Sequence, residues 1–317
     1  MSVPSVGIEQ LFAQHRGLIY GLCYRMTGDA ATADDLVQET FVRALATPPA
    51  DPSRPWTPWL VTVATRLAID ALRRRRRRAY VGPWLPGLVD LPACAEPHAS
   101  GSDPEQRLAA ARSVSYGWML ALERLSPTMR AALLLGDGFG YAGPEIAAML
   151  GLSHANVRAL LHRARTRLAG VDLEAAPVGG SDPRASAMLM RVLAAAAAGD
   201  LEGLQSALRE DVTLCSDGGG EFLAALRPIV GREHVARFVM GIARKGTVVA
   251  ASLVAFNDRP RLLGVVDTML ARAARYSATT LALDRDGRVA AIWVVVAPRK
   301  LHGVRFPVAP PTPNTSR

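Results

Sequence analysis

Apolar residues in this chain keep helical spacing as far as residue 209 and give way to β-rich runs from residue 247, and this change of period constrains the architecture most. Ile8, Leu11, Phe12, His15, Leu18, Ile19, Leu22 and Met26 predict an amphipathic helix over 8–27, ended by Gly28-Asp29. Ala33, Leu36, Val37, Thr40, Phe41 and Ala44 mark a second helix. Trp59, Leu60, Val63, Ala64, Leu67 and Leu72 mark a third over 57–78, which comes after the proline-rich loop Thr47–Pro58. Residues 79–103 have no periodicity and read as a linker. Ser102-Asp103-Pro104-Glu105 and Ser126-Pro127 read as helix starts. Glu145–Leu150, Gly151-Leu152-Ser153 and His154–Leu168 have the form helix, tight turn, helix.

After a second linker at 170–182, helices are predicted over 183–198, 200–209 and 231–244, with a short strand at Val212–Cys215. Runs at Thr247–Phe256, Leu262–Asp267, Ala274–Leu283 and Arg288–Val296 read as strands, the last two joined by the turn Asp284–Gly287. The expected fold is multidomain. Two all-α units, over 1–80 and 104–170, precede an α+β domain over 183–300 with a curved, mostly antiparallel sheet and a tail at 301–317.

The charge balance is +9 with a pI near 10.2, which suits a polyanionic partner such as nucleic acid or an anionic surface. Nearly all of it is arginine, the only lysines being Lys245 and Lys300. No apolar run is long enough to span a bilayer, and Met1–Gln10 lacks the pattern of a signal peptide. Cys23, Cys94 and Cys215 are odd in number and far apart, which argues against a disulfide framework or zinc site. A soluble cytoplasmic protein without membrane contact, metal or cofactor is expected.

Three surfaces carry candidate chemistry. The outer face of the second helix presents Asp34, Asp35, Gln38 and Glu39, either as a dock for a basic helical surface or as a solvated face. The third helix ends in Arg73–Arg78. Such a run suits the helix C-terminal dipole, and it also suits phosphate contacts without sequence information. Trp56 and Trp59 precede it. Trp59 fits the core, while Trp56 is open between core and stacking on an unpaired base. In the helix-turn-helix, Val157, Leu160, Leu161, Ala164 and Leu168 form the inner stripe. His154, Asn156, Arg158, His162, Arg163 and Arg165 project outward, with Ser153 as the cap. That many cationic side chains on one face suit a major groove, where Arg reads guanine and Asn reads adenine.

Asp34-Asp35-Leu36-Val37-Gln38-Glu39-Thr40-Phe41 resembles the signature of region two of the RNA polymerase sigma factors. Pro55-Trp56-Thr57-Pro58-Trp59-Leu60 and Arg66-Leu67-Ala68-Ile69-Asp70-Ala71-Leu72-Arg73 resemble its promoter-reading continuation. Glu145–Ser153, with Asn156-Val157-Arg158 and Leu161–Arg165, resembles region four. The three segments stand in the family's order over about the first 170 residues, as in the small extracytoplasmic-function sigma factors.

The resemblance implies a non-enzymatic subunit that directs promoter-specific initiation. It implies core RNA polymerase as partner, at the β′ clamp and β flap, with Asp34, Asp35, Gln38, Glu39 and Phe41 as polymerase-binding residues whose acidic face meets the clamp. It implies contact with the minus-ten and minus-thirty-five promoter elements through Trp56, Arg66, Arg73, Arg74, Arg77, Ser153, Asn156, Arg158, His162, Arg163 and Arg165. The last part of the chain resembles the SnoaL-like cone-shaped extension of one sigma-factor group, through Asp217-Gly218-Gly219-Gly220 and, in the first linker, Trp84-Leu85-Pro86. Here Gly87-Leu88 come next, where that group carries acidic and proline residues. The resemblance implies that linker and extension together tune activity.

The residues alone leave other readings. The glycine run is also compatible with a flexible loop. A one-component regulator sensing a small molecule, or a cyclase-like enzyme fused to a DNA-binding unit, would use the extension's pocket. Asp211, Asp217, His234 and Asp267 are the acid–base candidates there, and no pair has diagnostic spacing.

Overall fold

The computed structural model describes residues 7–51, 53–77, 80–89, 116–169, 182–257 and 259–307. Contacts divide the chain into two units, one from Met1–Ala79 and Val89–Glu174, the other from Tyr80–Leu88 and Ala175–Arg317. This departs from the expected division in two ways. The two helical segments flanking the first linker form one unit, and the beginning of that linker belongs to the α+β unit. The helix start at Ser102–Glu105, Cys94, Arg78 and nearly all of the second linker lie outside the described residues.

The first unit contains α1 (Ile8–Thr27), α2 (Ala30–Ala46), α3 (Thr57–Arg77), α4 (Tyr116–Leu122), α5 (Pro127–Leu133), a π turn (Leu134–Gly138), α6 (Gly143–Leu150) and α7 (His154–Leu168). Gly28 ends α1 in the left-handed region, at φ 64°, where a side chain would be strained. The Asp29 carboxylate then accepts from the Thr32 amide at 2.7 Å and caps α2. Leu22, Met26, Leu36, Val37, Leu60, Ala64, Met119, Leu122, Leu133, Ile146 and Val157 share one buried core.

Arginines hold this unit together at helix ends. The last carbonyls of an α-helix lack intrahelical donors. Arg130, 1% exposed, donates to the Met26 carbonyl of α1 and the Leu122 carbonyl of α4, each at 2.6 Å. Arg75 donates to the Thr27 carbonyl at 2.9 Å and Arg76 to the Leu125 carbonyl at 2.6 Å. Glu123 neutralises the cluster, accepting from Arg130 at 2.6 Å and from Arg75 at 2.5 Å. Burial lowers the Arg130 guanidinium's pKa, and the Glu123 carboxylate opposes that shift.

The second unit contains α8 (Pro183–Ala198), α9 (Leu201–Ala207), β1 (Leu208–Asp217), β2 (Ile229–Val230), α10 (Arg232–Ala243), β3 (Thr247–Phe256), β4 (Arg259–Asp267), β5 (Tyr276–Leu283), β6 (Val289–Val295) and a 3₁₀ turn (Pro298–Leu301). One six-stranded sheet has the order β2-β1-β6-β5-β4-β3. All neighbours are antiparallel except β1 and β6, which run parallel. Leu189, Leu204, Val235 and Met240 of the helices pack with Val212, Leu214, Leu262, Leu281 and Ile292 of the sheet.

Among the boundaries that differ from the expected ones, two have a clear packing reason. β1 begins at Leu208, where a helix was expected to continue, because Leu208 and Val212 are fully buried and the strand pairs with β6 and β2. Tertiary pairing overrides local spacing here. The expected tail at 301–317 starts inside the fold, since Leu301 is buried and the Phe306 ring lies 4.6 Å from that of Tyr276. Among the described residues, no helix is long and apolar enough to cross a membrane and no cluster of metal-ligating side chains occurs.

Removing Glu123 leaves the buried Arg130 charge without its counter-ion. Glu123→Ala is expected to lower unfolding free energy by about 3 kcal/mol, read as a shift in the urea midpoint. An unchanged midpoint would show that the carbonyl contacts alone suffice.

Candidate nucleic-acid interface and linker clamp

Along α2, Asp35, Gln38 and Glu39 are exposed and Asp34 is half-buried. Asp34 lies 3.5 Å from Arg16, and Glu39 accepts from Arg43 at 2.9 Å, both at the surface. Phe41 is not available to a partner. It is buried and packs edge-on against Phe12 at 4.9 Å between centroids, so its place is the core beneath the acidic face. Val42 and Leu45 are strongly exposed. With Asp35 and Gln38 they form a stripe at spacings of three and four residues, which is one face of a helix. The helical period that placed Leu36 and Phe41 inside could have placed these two outside.

Trp56 and Trp59 are both half-buried, edge to face at 6.0 Å, and both pack on the helical core. Arg66 is exposed at one end while its Nε donates to the Met149 carbonyl of α6 at 3.0 Å. The arginine run splits. Arg73, Arg74 and Arg77 remain at the surface, Arg75 turns inward onto the Thr27 carbonyl at the end of α1, and Arg76, otherwise exposed, donates to the Leu125 carbonyl in the bend after α4.

In α7 the Ser153 hydroxyl accepts from the Asn156 amide at 3.2 Å. Gly151, at φ 66°, makes the turn before it, and Glu145 caps α6 by accepting from the Ala142 amide at 2.7 Å. Val157, Ala164 and Leu168 are buried, while Leu160 and Leu161 pack partly on the core. His154, Asn156, Arg158, His162, Arg163 and Arg165 are all exposed on the other side. Arg165 alone among them forms an ion pair among the described residues, with Asp137 at 2.6 Å, which raises its pKa through a direct hydrogen bond.

The second unit brings the other two motifs together. Asp217 ends β1 with 0% exposure. Its carboxylate accepts from the Leu85 amide at 2.8 Å, the Gly219 amide at 3.0 Å, the Tyr80 hydroxyl and the Lys300 ammonium. Lys300, 3% exposed, also donates to the Leu85 carbonyl at 2.6 Å, and its Nζ sits 3.9 Å from the Trp84 ring centre. The Leu88 amide donates to the Lys300 carbonyl at 3.3 Å. Gly87 and Leu88 therefore do not prevent docking, because the contact uses backbone groups.

The glycines form an ordered turn. A Cβ on Gly218 would lie 2.5 Å from the Phe222 carbonyl oxygen, and Gly219 and Gly220 have φ of 64° and 80°. Pro86 is buried beside Leu85. Neither motif nor periodicity pointed to Lys300. The available signal was its identity as one of two lysines in a chain that otherwise uses arginine. The acid–base candidates do not assemble: Asp211 pairs with Arg209, Asp217 is consumed by the linker, and His234 lies on an exposed helix face 3.1 Å from the Val230 carbonyl.

Residues 11–78 match the family Sigma-70 region 2, and residues 118–168 match Sigma-70, region 4. The chain is 36% identical over 310 residues to the ECF RNA polymerase sigma factor SigJ of Mycobacterium tuberculosis (strain ATCC 25618 / H37Rv), covering 92% of each. It belongs to the ECF RNA polymerase sigma factors. A probable ECF sigma factor, SigI of the same organism, is 28% identical over 306 residues, covering 94% of this chain and 96% of that one. The crystal structure of Mycobacterium tuberculosis SigJ superposes with a TM-score of 0.64 at 32% identity, covering 93% of this chain and 98% of that one. As a sigma factor the chain is not an enzyme; it binds core RNA polymerase and promoter DNA and directs promoter-specific initiation.

Lys300→Met removes the cation facing a fully buried carboxylate. It is expected to expose the Leu85 and Leu88 amides, read as faster hydrogen–deuterium exchange over residues 80–89, with a loss of about 3 kcal/mol in the second unit's stability. Unchanged protection there would mean that Tyr80 and the Gly219 turn suffice to hold the linker.

Proposed function

We propose that this sigma factor docks on the polymerase β′ clamp through Asp34, Asp35, Gln38 and Glu39, with Val42 and Leu45 completing the surface. In the same reading α3 with Trp56 serves the minus-ten element, α7 serves the minus-thirty-five element, and the connecting segment passes the β flap. The α+β unit modulates this activity through its grip on the linker. The observation that carries the proposal is the Asp217–Lys300 pair closing on Leu85. A sigma factor must place two helical regions on two promoter elements at once, so whatever restrains the segment between them changes which placements are reachable.

A small-molecule effector has a place in this reading. A cleft of about 690 Å³ is lined by Phe222, Tyr276, Val296, Pro298, Leu301 and Phe306, among others, and shares the Gly218–Phe222 turn and the Pro298–Leu301 turn with the clamp. A ligand that fits it as formed would stabilise the gripped linker.

Run-off transcription with purified core polymerase tests both parts. Asp35→Arg combined with Glu39→Arg is expected to weaken association with core polymerase by about 2 kcal/mol or more while the fold survives. Undiminished co-purification would remove α2 from the interface. Asp217→Ala is expected to change transcript yield about fivefold or more at equal folded concentration, with core binding unaltered. Equal yields would remove the modulatory role and leave the α+β unit as a separate module.

A further inference from the structure

Arg165 stands apart from the other outward arginines of α7. Both oxygens of Asp137 face its guanidinium, with Nη2 at 2.6 Å from Oδ1 and Nε at 3.3 Å from Oδ2. Arg158 and Arg163 on the same helix make no ion pair among the described residues, and Arg167 points back at the Met129 sulfur at 3.5 Å. The geometry is the paired, planar one in which guanidinium also grips a phosphate.

The carboxylate reaches this position through an irregularity. Leu134–Gly138 is a π turn inserted after α5. Its distinctive five-residue bond runs from the Phe139 amide to the Leu134 carbonyl at 3.0 Å, and the Tyr141 amide closes the end of the turn on the Leu135 carbonyl at 2.9 Å. A π turn holds one residue more than an α turn and rotates the chain beyond it. Gly136 lies against the helix-turn-helix core, where a Cβ would meet Ile146 at 3.4 Å and Leu161 at 3.7 Å in ordinary contact. The turn is thus fixed by the helix-turn-helix core while Asp137 remains at the surface.

We propose that Asp137 competes with DNA phosphate for Arg165 and so holds down the affinity of α7 for duplex DNA of any sequence. The inference rests on the reading of α7 as the promoter-contacting helix. Any duplex that uses Arg165 must first displace an internal anion, so the phosphate contact contributes less to every sequence alike. Affinity falls for all sequences together, and the differences between them, set by base contacts from Asn156 and Arg158, are unchanged. Glu123 does not play this role. It holds the buried Arg130, and its exchange for a phosphate would open the core, whereas the Asp137 and Arg165 side chains are 40% and 60% exposed.

The test uses the full-length chain and a scrambled-sequence duplex, with binding read by fluorescence anisotropy across a salt series. Asp137→Asn, Arg165→Ala and the double variant complete a thermodynamic cycle. Asp137→Asn is expected to bind the duplex about threefold to tenfold more tightly, with a slope of log affinity against log salt steeper by about one. In the Arg165→Ala background the same substitution is expected to change affinity by much less. Equal affinity and slope for wild type and Asp137→Asn would overturn the proposal. So would a full gain that persists without Arg165, which would mark it as a general effect of net charge. If no form bound the duplex at any salt concentration, the reading of α7 itself would fail, and the competition with it.

Discussion

The α+β unit is organised around a buried ion pair, Lys300 with Asp217, because a buried charge is costly unless it is paired and hydrogen-bonded. Every remaining valence of the two groups is met by backbone or by aromatic rings, and the linker supplies most of those partners. Leu85 offers both its amide and its carbonyl, Tyr80 its hydroxyl, and Trp84 its ring. The linker is thus part of the solvation of the pair. Taking it away would leave two buried ions half-satisfied, so holding the linker is the low-energy option for this unit. The three glycines answer the same need: the chain must turn at once after Asp217 so that the Gly219 amide can reach its carboxylate.

Arginine does two different jobs in the helical unit, and position relative to helix ends decides which. Arg75 and Arg130 meet carbonyls that close α1 and α4, where a cation is favoured both by hydrogen bonding and by the dipole, and Arg76 meets the Leu125 carbonyl in the bend that follows. Arg73, Arg74 and Arg77, one helical turn around, meet no such carbonyl and remain in solvent. A run of like charges that would repel itself is divided between an interior network neutralised by Glu123 and a surface able to meet a polyanion. Arg66 is intermediate, with its Nε tied to Met149 and the rest of its side chain outside.

The sequence made the helices legible because their apolar spacing, Gly28-Asp29 and Gly151-Leu152-Ser153 are local signals, and each stands where expected. The strands from Thr247 onward were legible for the same reason. The start of β1 was not, since Leu208 is a strand residue only because β6 lies beside it. The outward residues of α7 could be read from periodicity, whereas the inward turn of Arg75 and the bond made by Arg76 depend on Glu123 and Leu125, nearly fifty residues away. Phe41 stood within a recognisable motif and is nonetheless core, because a motif records residue types and the helical period records direction. Lys300 had no local signal beyond its rarity, and its partners lie 83 and 215 residues away.

That last separation orders events in time. Leu85 leaves the ribosome 215 residues before Lys300. At typical synthesis rates of about 5–20 residues per second, the delay is on the order of ten to forty seconds. Within it the whole of the helical unit is made and can fold, while Tyr80–Leu88 has nothing to dock on. A chain that has not yet reached Lys300 therefore carries its two helical regions on an ungripped segment, and only one that includes Lys300 closes on it. The docked linker is in that sense a mark that synthesis has passed Lys300, written by the last helical turn described onto a segment made long before it.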